Sequence, residues 1–207
     1  LKHAENYNVR PRIGVRVKLA SEGAGRWRES SGEKSKFGLF ITEILELFRV
    51  LREHGMEDCL QLVHCHPGSQ LQDIRRVKDA VTELAHVYAE LKQMGAGLQY
   101  IDIGGGLGVD YDGTNSTNNA SVNYTLQEYA GDVVYTLAET CREAELPMPH
   151  LISESGRALT AHHALLLLRV IDVESVAEPP LPEITEEHHV VLHEMIEDYK
   201  TLSKKKL

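Results

Sequence analysis

Three short segments hold the residue types that could do chemistry: His66-Pro67-Gly68-Ser69-Gln70, the run Ile101-Asp102-Ile103-Gly104-Gly105-Gly106-Leu107-Gly108-Val109-Asp110-Tyr111, and Glu154-Ser155-Gly156-Arg157. Each follows an apolar, strand-like run. Glycines without Cβ atoms let a phosphate or another backbone approach closely. Successive bare N–H groups form a concave anion site. In the last segment, Arg157 offers a fork that fits a phosphate, and Glu154 is suited to hold a proton on a heterocyclic nitrogen. A plain surface ion pair, contributing only ~0–1 kcal/mol, is the competing reading. Pro67 and Gly68 bend the chain directly after His66, which suits a ring laid over a ligand. Ser69 lacks a Gly-x-Ser-x-Gly elbow and reads as a hydroxyl donor to phosphate, not a nucleophile.

Two alternatives stay open. His64 and His66 lie two apart and share a face of a regular strand. Such a pair binds metal in barrel hydrolases. The adjacent pairs His162-His163 and His188-His189 point to opposite faces, and no strand ending in Asp is read as completing a ligand set. His64 is therefore expected to be a satisfied core histidine. The loop carrying Asp110, Tyr111 and Asp112 suits a cationic substrate, or an ordinary solvated turn.

These segments need a scaffold. Arg12 to Leu19 reads as a strand. Ile41, Ile44, Leu45, Phe48 and Leu51 recur at helical spacing and stop at Gly55. Leu60–Cys65 is a strand, and Ile74, Val77, Val81, Leu84, Tyr88 and Leu91 line a second helix ending near Gly95. Gln99–Ile103 follows as a strand, then a helix with Tyr129, Val133, Val134, Leu137 and Cys141 inward, ended by Pro147. His150–Ser153 and Leu165–Val173 are two further predicted strands. Alternating strands and helices mean an α/β fold with a parallel sheet. Three βα units and a closing strand are about half of an eight-stranded (β/α)8 barrel, with an open doubly wound sheet as the alternative. Glu178-Pro179-Pro180-Leu181-Pro182 reads as a rigid linker. Val191, Met195, Ile196, Tyr199 and Leu202 form another helical face. The boundary is set at 1–176 for the barrel portion and 177–207 for the linker and the start of a helical insertion.

Composition removes several classes. The net charge of −9 and the lack of a basic stripe argue against nucleic acid. The only basic cluster, Lys204-Lys205-Lys206, reads as a solvated tail. No apolar run reaches the ~18 residues of a membrane span. Cys59, Cys65 and Cys141 show no metal spacing, and a sparse, odd count suits the reducing cytoplasm. The Asn115, Asn119 and Asn123 acceptor patterns read as polar loop. The chain opens like the tail of a helix without an initiator Met, so a longer parent is expected.

Taken together, these motifs resemble the alanine-racemase-type, pyridoxal-phosphate-dependent decarboxylases. The likeness runs from about Arg12 to Val173 and is carried by Gly32-Glu33-Lys34-Ser35-Lys36-Phe37-Gly38, the His66–Gln70 element, the Ile101–Tyr111 run, Ser121-Val122-Asn123-Tyr124, Glu154–Ala158 and Thr160-Ala161-His162-His163. The first of these and Gly108-Val109-Asp110-Tyr111 point to the arginine-specific branch. A diaminopimelate or related diamino-acid decarboxylase of the same family is the alternative. The resemblance implies the second half of a TIM-type barrel and pyridoxal 5'-phosphate as cofactor. It has His66 stacking on the ring, Ser69, Gly104, Gly105, Gly106, Gly156 and Arg157 binding the phosphate, and Glu154 pairing with the pyridine nitrogen. Arg16 would lie near the cofactor. Asp102, Gly108, Asp110 and Tyr111 would contact substrate. It further implies L-arginine as substrate, agmatine and carbon dioxide as products on the route to polyamines, a magnesium requirement and a homo-oligomer. No lysine here has the aromatic-x-x-Lys-x-Asn setting of the family's Schiff-base lysine, so the isolated chain is expected to be inactive.

Overall fold

The computed structural model describes residues 2–20, 35–164, 166–174, 183–185 and 188–204. The Gly32–Lys34 portion of one motif, the linker from Glu178 to Pro182, and Lys205-Lys206 lie outside the described residues. Residues 1–165 make one compact unit and 166–207 a second.

The first unit is built from alternating strands and helices. After α1 (Lys2–Tyr7) come β1 (Ile13–Arg16), α2 (Ile41–Glu53), β2 (Leu60–His64), α3 (Ile74–Gln93), β3 (Tyr100–Asp102), α4 (Leu126–Glu143), β4 (His150–Ile152) and α5 (Gly156–Thr160). The four strands pair in the order β1-β2-β3-β4, and every pair is parallel. Strand order therefore follows chain order with no reversal, unlike a doubly wound sheet, whose order turns back at a switch point.

The helices start and stop where capping chemistry directs. The Asp73 side chain accepts from the Arg75 amide at the start of α3. Thr125 and Glu128 cap α4 reciprocally, with the Glu128 amide donating to Thr125 Oγ1 at 3.1 Å and the Thr125 amide to Glu128 Oε2 at 2.7 Å. Beyond α3, Gly95 turns the chain at φ 101°.

Alternation along the strands assigns two faces. Val15, Val63 and Ile101 are buried in one core with Ile44 and Phe48 of α2, Val81 and Leu84 of α3, and Val133 and Leu137 of α4. Residues of the opposite parity, among them Leu62, His64, Tyr100 and Asp102, are only half-buried, and His150 and Ile152 are exposed. The helices cover one face, and the chemistry-bearing residues line the other. Tyr88, buried in α3, donates to the Pro147 carbonyl at 3.2 Å. This ties the helical layer to the loop before β4 and satisfies a buried hydroxyl.

One expected element is corrected. Of the expected strand Leu165–Val173, the described residues 166–173 carry no regular structure, and Leu166, Leu168, Val170 and Ile171 are exposed. A strand exists by pairing its amides and carbonyls with a neighbour, and no described residue pairs with this stretch. Val134, expected to face inward from α4, is exposed as well. In the second unit, the helical face read from Val191 onward is α6 (Val190–Lys204).

Candidate active site

The site is assembled at the C-terminal ends of the strands. Arg16, His64 and Asp102 are in register on β1, β2 and β3, and Ile152 of β4 continues the row. In-register residues of parallel strands share a face, so these side chains stand side by side on the uncovered face. Glu154 lies two residues beyond Ile152.

Two loops are fitted closely together here. Gly104 has φ 67°, and a Cβ there would sit 2.2 Å from the Cys65 carbonyl oxygen. Gly106 has φ 99°, with the Gly68 carbonyl 2.7 Å from its Cβ position. Both positions combine left-handed backbone with backbone contact, which only glycine accommodates. Leu71 N donates to Gly106 O at 2.9 Å. The Gln70 amide brackets Val109, donating from Nε2 to its carbonyl at 2.6 Å and accepting its N–H at 3.0 Å. Tyr124 completes the seam: its hydroxyl donates to Leu71 O at 2.7 Å and accepts from Gly108 N at 3.1 Å. Asn123 Oδ1 accepts from the Ile74 amide. The amides of Gly105 and Gly106 donate to no protein acceptor among the described residues.

The arm after β4 joins this rim. Glu154 N donates to Gly104 O at 2.9 Å. Arg157 reaches back across the site, donating from Nη2 to Ser69 Oγ at 3.3 Å and from Nη1 to Tyr111 Oη at 3.4 Å. Gly156 has open space where a Cβ would project. Thus the loops led by His66, Gly104 and Glu154 converge. Ser69, Tyr111 and Arg157 form one polar cluster beside two free amides. The side chain of His66 is held below the ordinary histidine range of 6.5 chiefly by burial, then by the charges of Arg16 and His64, with Glu154 opposing. Burial thus favours the neutral form of the ring.

The other singled-out residues are built into the scaffold. Asp102 Oδ1 accepts from Gly104 N at 2.9 Å, and its Oδ2 faces His64 Nδ1 at 3.2 Å. Gly108 packs against Val122, whose Cγ1 is 2.3 Å from its Cβ position. Asp110 accepts from Ser121 Oγ at 2.6 Å and from the amides of Gly113 and Asn115, so it organises its own loop. From sequence, no strand ending in Asp is expected to add a ligand to the histidines, yet β3 ends in Asp102, in register with His64 and close enough to share a cluster with it. Nor is His64 a satisfied core histidine. Its buried Nδ1 lies within ion-pair distance of Asp102 but lacks an aligned hydrogen bond. Sequence reasoning missed Gln70 and Tyr124 as fasteners of the site. Their spacing carries no periodic signal.

A strand-end rim with bare amides, a guanidinium and a carboxylate, on a singly wound parallel sheet, defines a class: α/β proteins that seat an anionic ligand at their strand ends. The chain belongs to the pyridoxal-dependent decarboxylase family, whose pyridoxal binding domain matches residues 1–161. It is 48% identical over 206 residues to the biosynthetic arginine decarboxylase of Tolumonas auensis, covering 99% of this chain and 32% of that protein. Among solved structures, the biosynthetic arginine decarboxylase of Campylobacter jejuni matches with TM-score 0.60 and 37% identity over 71% of this chain and 23% of the other. Diaminopimelate decarboxylase from Helicobacter pylori, complexed with L-lysine, gives TM-score 0.61 and 25% identity over 76% of this chain and 36% of the other. The chain spans about a third of the length of the curated relatives it matches. Among the described residues, no helix is long and apolar enough to cross a membrane.

The donor set fits the family's cofactor. Free glycine amides and the Arg157 guanidinium suit a phosphate, the His66 ring suits an aromatic face, and Glu154 offers a carboxylate to a ring nitrogen. It does not fit magnesium. The one cluster of three potential metal ligands among the described residues is His64, Asp102 and Glu154. Magnesium demands an octahedral shell of oxygens, whereas this set includes an imidazole nitrogen and an Asp102 oxygen already bonded to Gly104.

Proposed function

We propose that the protein containing this chain is a pyridoxal-phosphate-dependent decarboxylase that converts L-arginine to agmatine and carbon dioxide on the route to polyamines. Residues 1–176 contribute the second half of its (β/α)8 barrel, and 177–207 a linker and the start of a helical insertion. The full protein acts in the cytoplasm as a homo-oligomer. The reading rests above all on the convergence of the His66, Gly104 and Glu154 loops around the cluster of Arg157, Ser69 and Tyr111. Its arginine specificity is supported by relatives that are 45–53% identical and carry that activity in their names.

Each residue then has a task. The amides of Gly105 and Gly106, the Ser69 hydroxyl and the Arg157 guanidinium would hold the phosphate, with Gly104 setting the turn of the loop against Cys65 and Gly156 leaving open space beside it. His66 lies against the ring, with Arg16 close by. Glu154 holds the proton on the ring nitrogen. When bound, the cofactor supplies an electron sink for the pair left behind as carbon dioxide departs. Tyr111, with half its surface exposed beside Arg157, is the member of the substrate group best placed to meet a ligand. Asp102, Gly108 and Asp110 shape the walls behind it.

The test is turnover by the full-length protein, loaded with pyridoxal phosphate, on arginine, lysine and diaminopimelate. Agmatine and carbon dioxide from arginine alone are expected. Preferred release from diaminopimelate would transfer the assignment to that neighbouring activity. The isolated 207-residue chain is expected to release no agmatine. Family membership sets aside the metal-hydrolase alternative built on His64 and His66.

A further inference from the structure

Phe37 carries an exposed ring on a backbone that is held in place. With 55% of its surface in water, burial stabilises it little. Yet the hydroxyl of the buried Ser35 donates to the Phe37 carbonyl at 2.8 Å and accepts the Phe37 N–H at 3.2 Å. The next residue, Gly38, has φ 94°, and a Cβ there would sit 3.1 Å from the Arg16 carbonyl oxygen and 3.3 Å from Arg16 Cγ. A left-handed glycine thus lays this segment directly against Arg16. Leu39 then forms a parallel bridge with Val17. Its N–H donates to Arg16 O at 2.8 Å, and Lys18 N donates to Leu39 O at 2.9 Å. On the other side, Val17 N donates to His64 O at 2.7 Å. Residues 35–39 therefore run along the edge of β1 that faces away from β2, and the end of β1 is gripped from both sides.

What the ring meets is a cation. The Arg16 guanidinium carbon lies 5.6 Å from the Phe37 centroid, within the reach of a cation–π contact. The Lys36 ammonium, at 5.8 Å, is a second neighbour. Lys36 is exposed, whereas Arg16 is half-buried and in register with His64 on the face that carries the site. Its charge is felt at the His66 ring. Among the described residues, no hydrogen bond or ion pair holds the Arg16 guanidinium. A long side chain without such a bond keeps much of its rotamer freedom, and a ring laid against it removes part of that freedom. We infer that Phe37 is a positioning residue, whose ring holds the Arg16 guanidinium on the site face of β1, where it meets the cofactor. This inference rests on the proposed placement of Arg16 beside the pyridoxal ring. Phe37 itself need touch neither cofactor nor substrate.

The test uses the full-length protein with Phe37→Leu, Phe37→Met, Phe37→Tyr, Arg16→Gln and the double variant Phe37→Leu/Arg16→Gln. The first readout is the dissociation constant for pyridoxal phosphate added to cofactor-free protein. Phe37→Leu is expected to weaken binding roughly three- to tenfold, the worth of a partly desolvated cation–π contact. Phe37→Tyr keeps a ring and is expected to bind within about twofold of wild type. Because the ring acts through the guanidinium, the double variant is expected to match Arg16→Gln within about twofold, without adding the two losses. The second readout is the thermal midpoint of the cofactor-free protein. It is expected to shift by less than about 2 °C in Phe37→Leu, because the ring is mostly in water. If the Leu variant is not recovered folded, the Met variant carries the same readouts. The inference is overturned by a loss under about threefold in Phe37→Leu, by losses that add in the double variant, by a Tyr variant as weak as the Leu variant, or by a midpoint lowered beyond that shift. A wild-type protein that binds no pyridoxal phosphate, or an Arg16→Gln variant equal to wild type, instead overturns the placement of Arg16 at the cofactor on which it depends.

Discussion

The loops following β2 and β3 are bonded to each other along their length, whereas the arm following β4 meets that rim through the Glu154 amide and the Arg157 guanidinium. In the first region, Gln70 brackets Val109, Leu71 pairs with Gly106, and Tyr124 fastens both loops with one hydroxyl. In the second, Glu154 is held by its amide, and the exposed Arg157 by two long contacts to Ser69 and Tyr111. The difference separates two duties. Backbone donors for an anion must be in place beforehand, because their worth lies in costing no rearrangement when the ligand arrives. Side-chain charges on an open arm can adjust to the ligand and then complete its enclosure.

Substitutions at glycine break this comparison most directly. Gly104→Ala is expected to destabilise the protein by roughly 3 kcal/mol or more, through left-handed backbone and collision with Cys65. Gly156→Ala meets no atom and should stay within about 0.5 kcal/mol. Urea midpoints of the two variants check this, and equal losses would show that the two regions are not built differently. Next comes Arg157→Ala. It should weaken pyridoxal phosphate binding roughly 10- to 100-fold, the worth of a charge-assisted hydrogen bond, while leaving the thermal midpoint of cofactor-free protein unchanged. A fall in that midpoint would make Arg157 a structural tie. Tyr124→Phe should cost about 1–3 kcal/mol by leaving Gly108 N and Leu71 O without their shared partner, read from chemical denaturation.

The smallest expected effect is on pH dependence. The His66 ring is held below 6.5 mainly by burial, so below about pH 6.5 the unfolded chain binds a proton that the folded chain refuses. Its contribution is neutral above that pH and increasingly destabilising as pH falls, until the folded ring titrates. His66→Asn should flatten this acid limb of the Tm-against-pH curve. An unchanged limb would show that the ring is solvated.

Much of the scaffold was legible because periodicity is local. Ile44, Phe48 and Leu51 mark a helix face, and Val15, Val63 and Ile101 mark strand interiors, without knowledge of any partner. The stretch after Leu165 misled for the complementary reason. Apolar alternation states what a strand would look like, but pairing depends on a neighbour. The site was legible where chemistry is written in residue type, as in the glycine triplet, Glu154 and Arg157. It was illegible where function depends on register. Asp102 reads as one more strand-end residue until β2 and β3 align it with His64. Gln70 and Tyr124 declare nothing until two loops are seen to meet at their polar atoms.

Because strand order follows chain order, each strand finds its partner one helix away. Pairing with a strand one helix away costs less loop entropy than pairing across the whole sheet would. A nascent chain leaving the ribosome could therefore lay down β1 to β4 one after another, each new unit templated by the edge just completed. The backbone part of the anion cradle would await the emergence of residue 124, whose hydroxyl latches the preceding two loops, and its charged part that of Arg157.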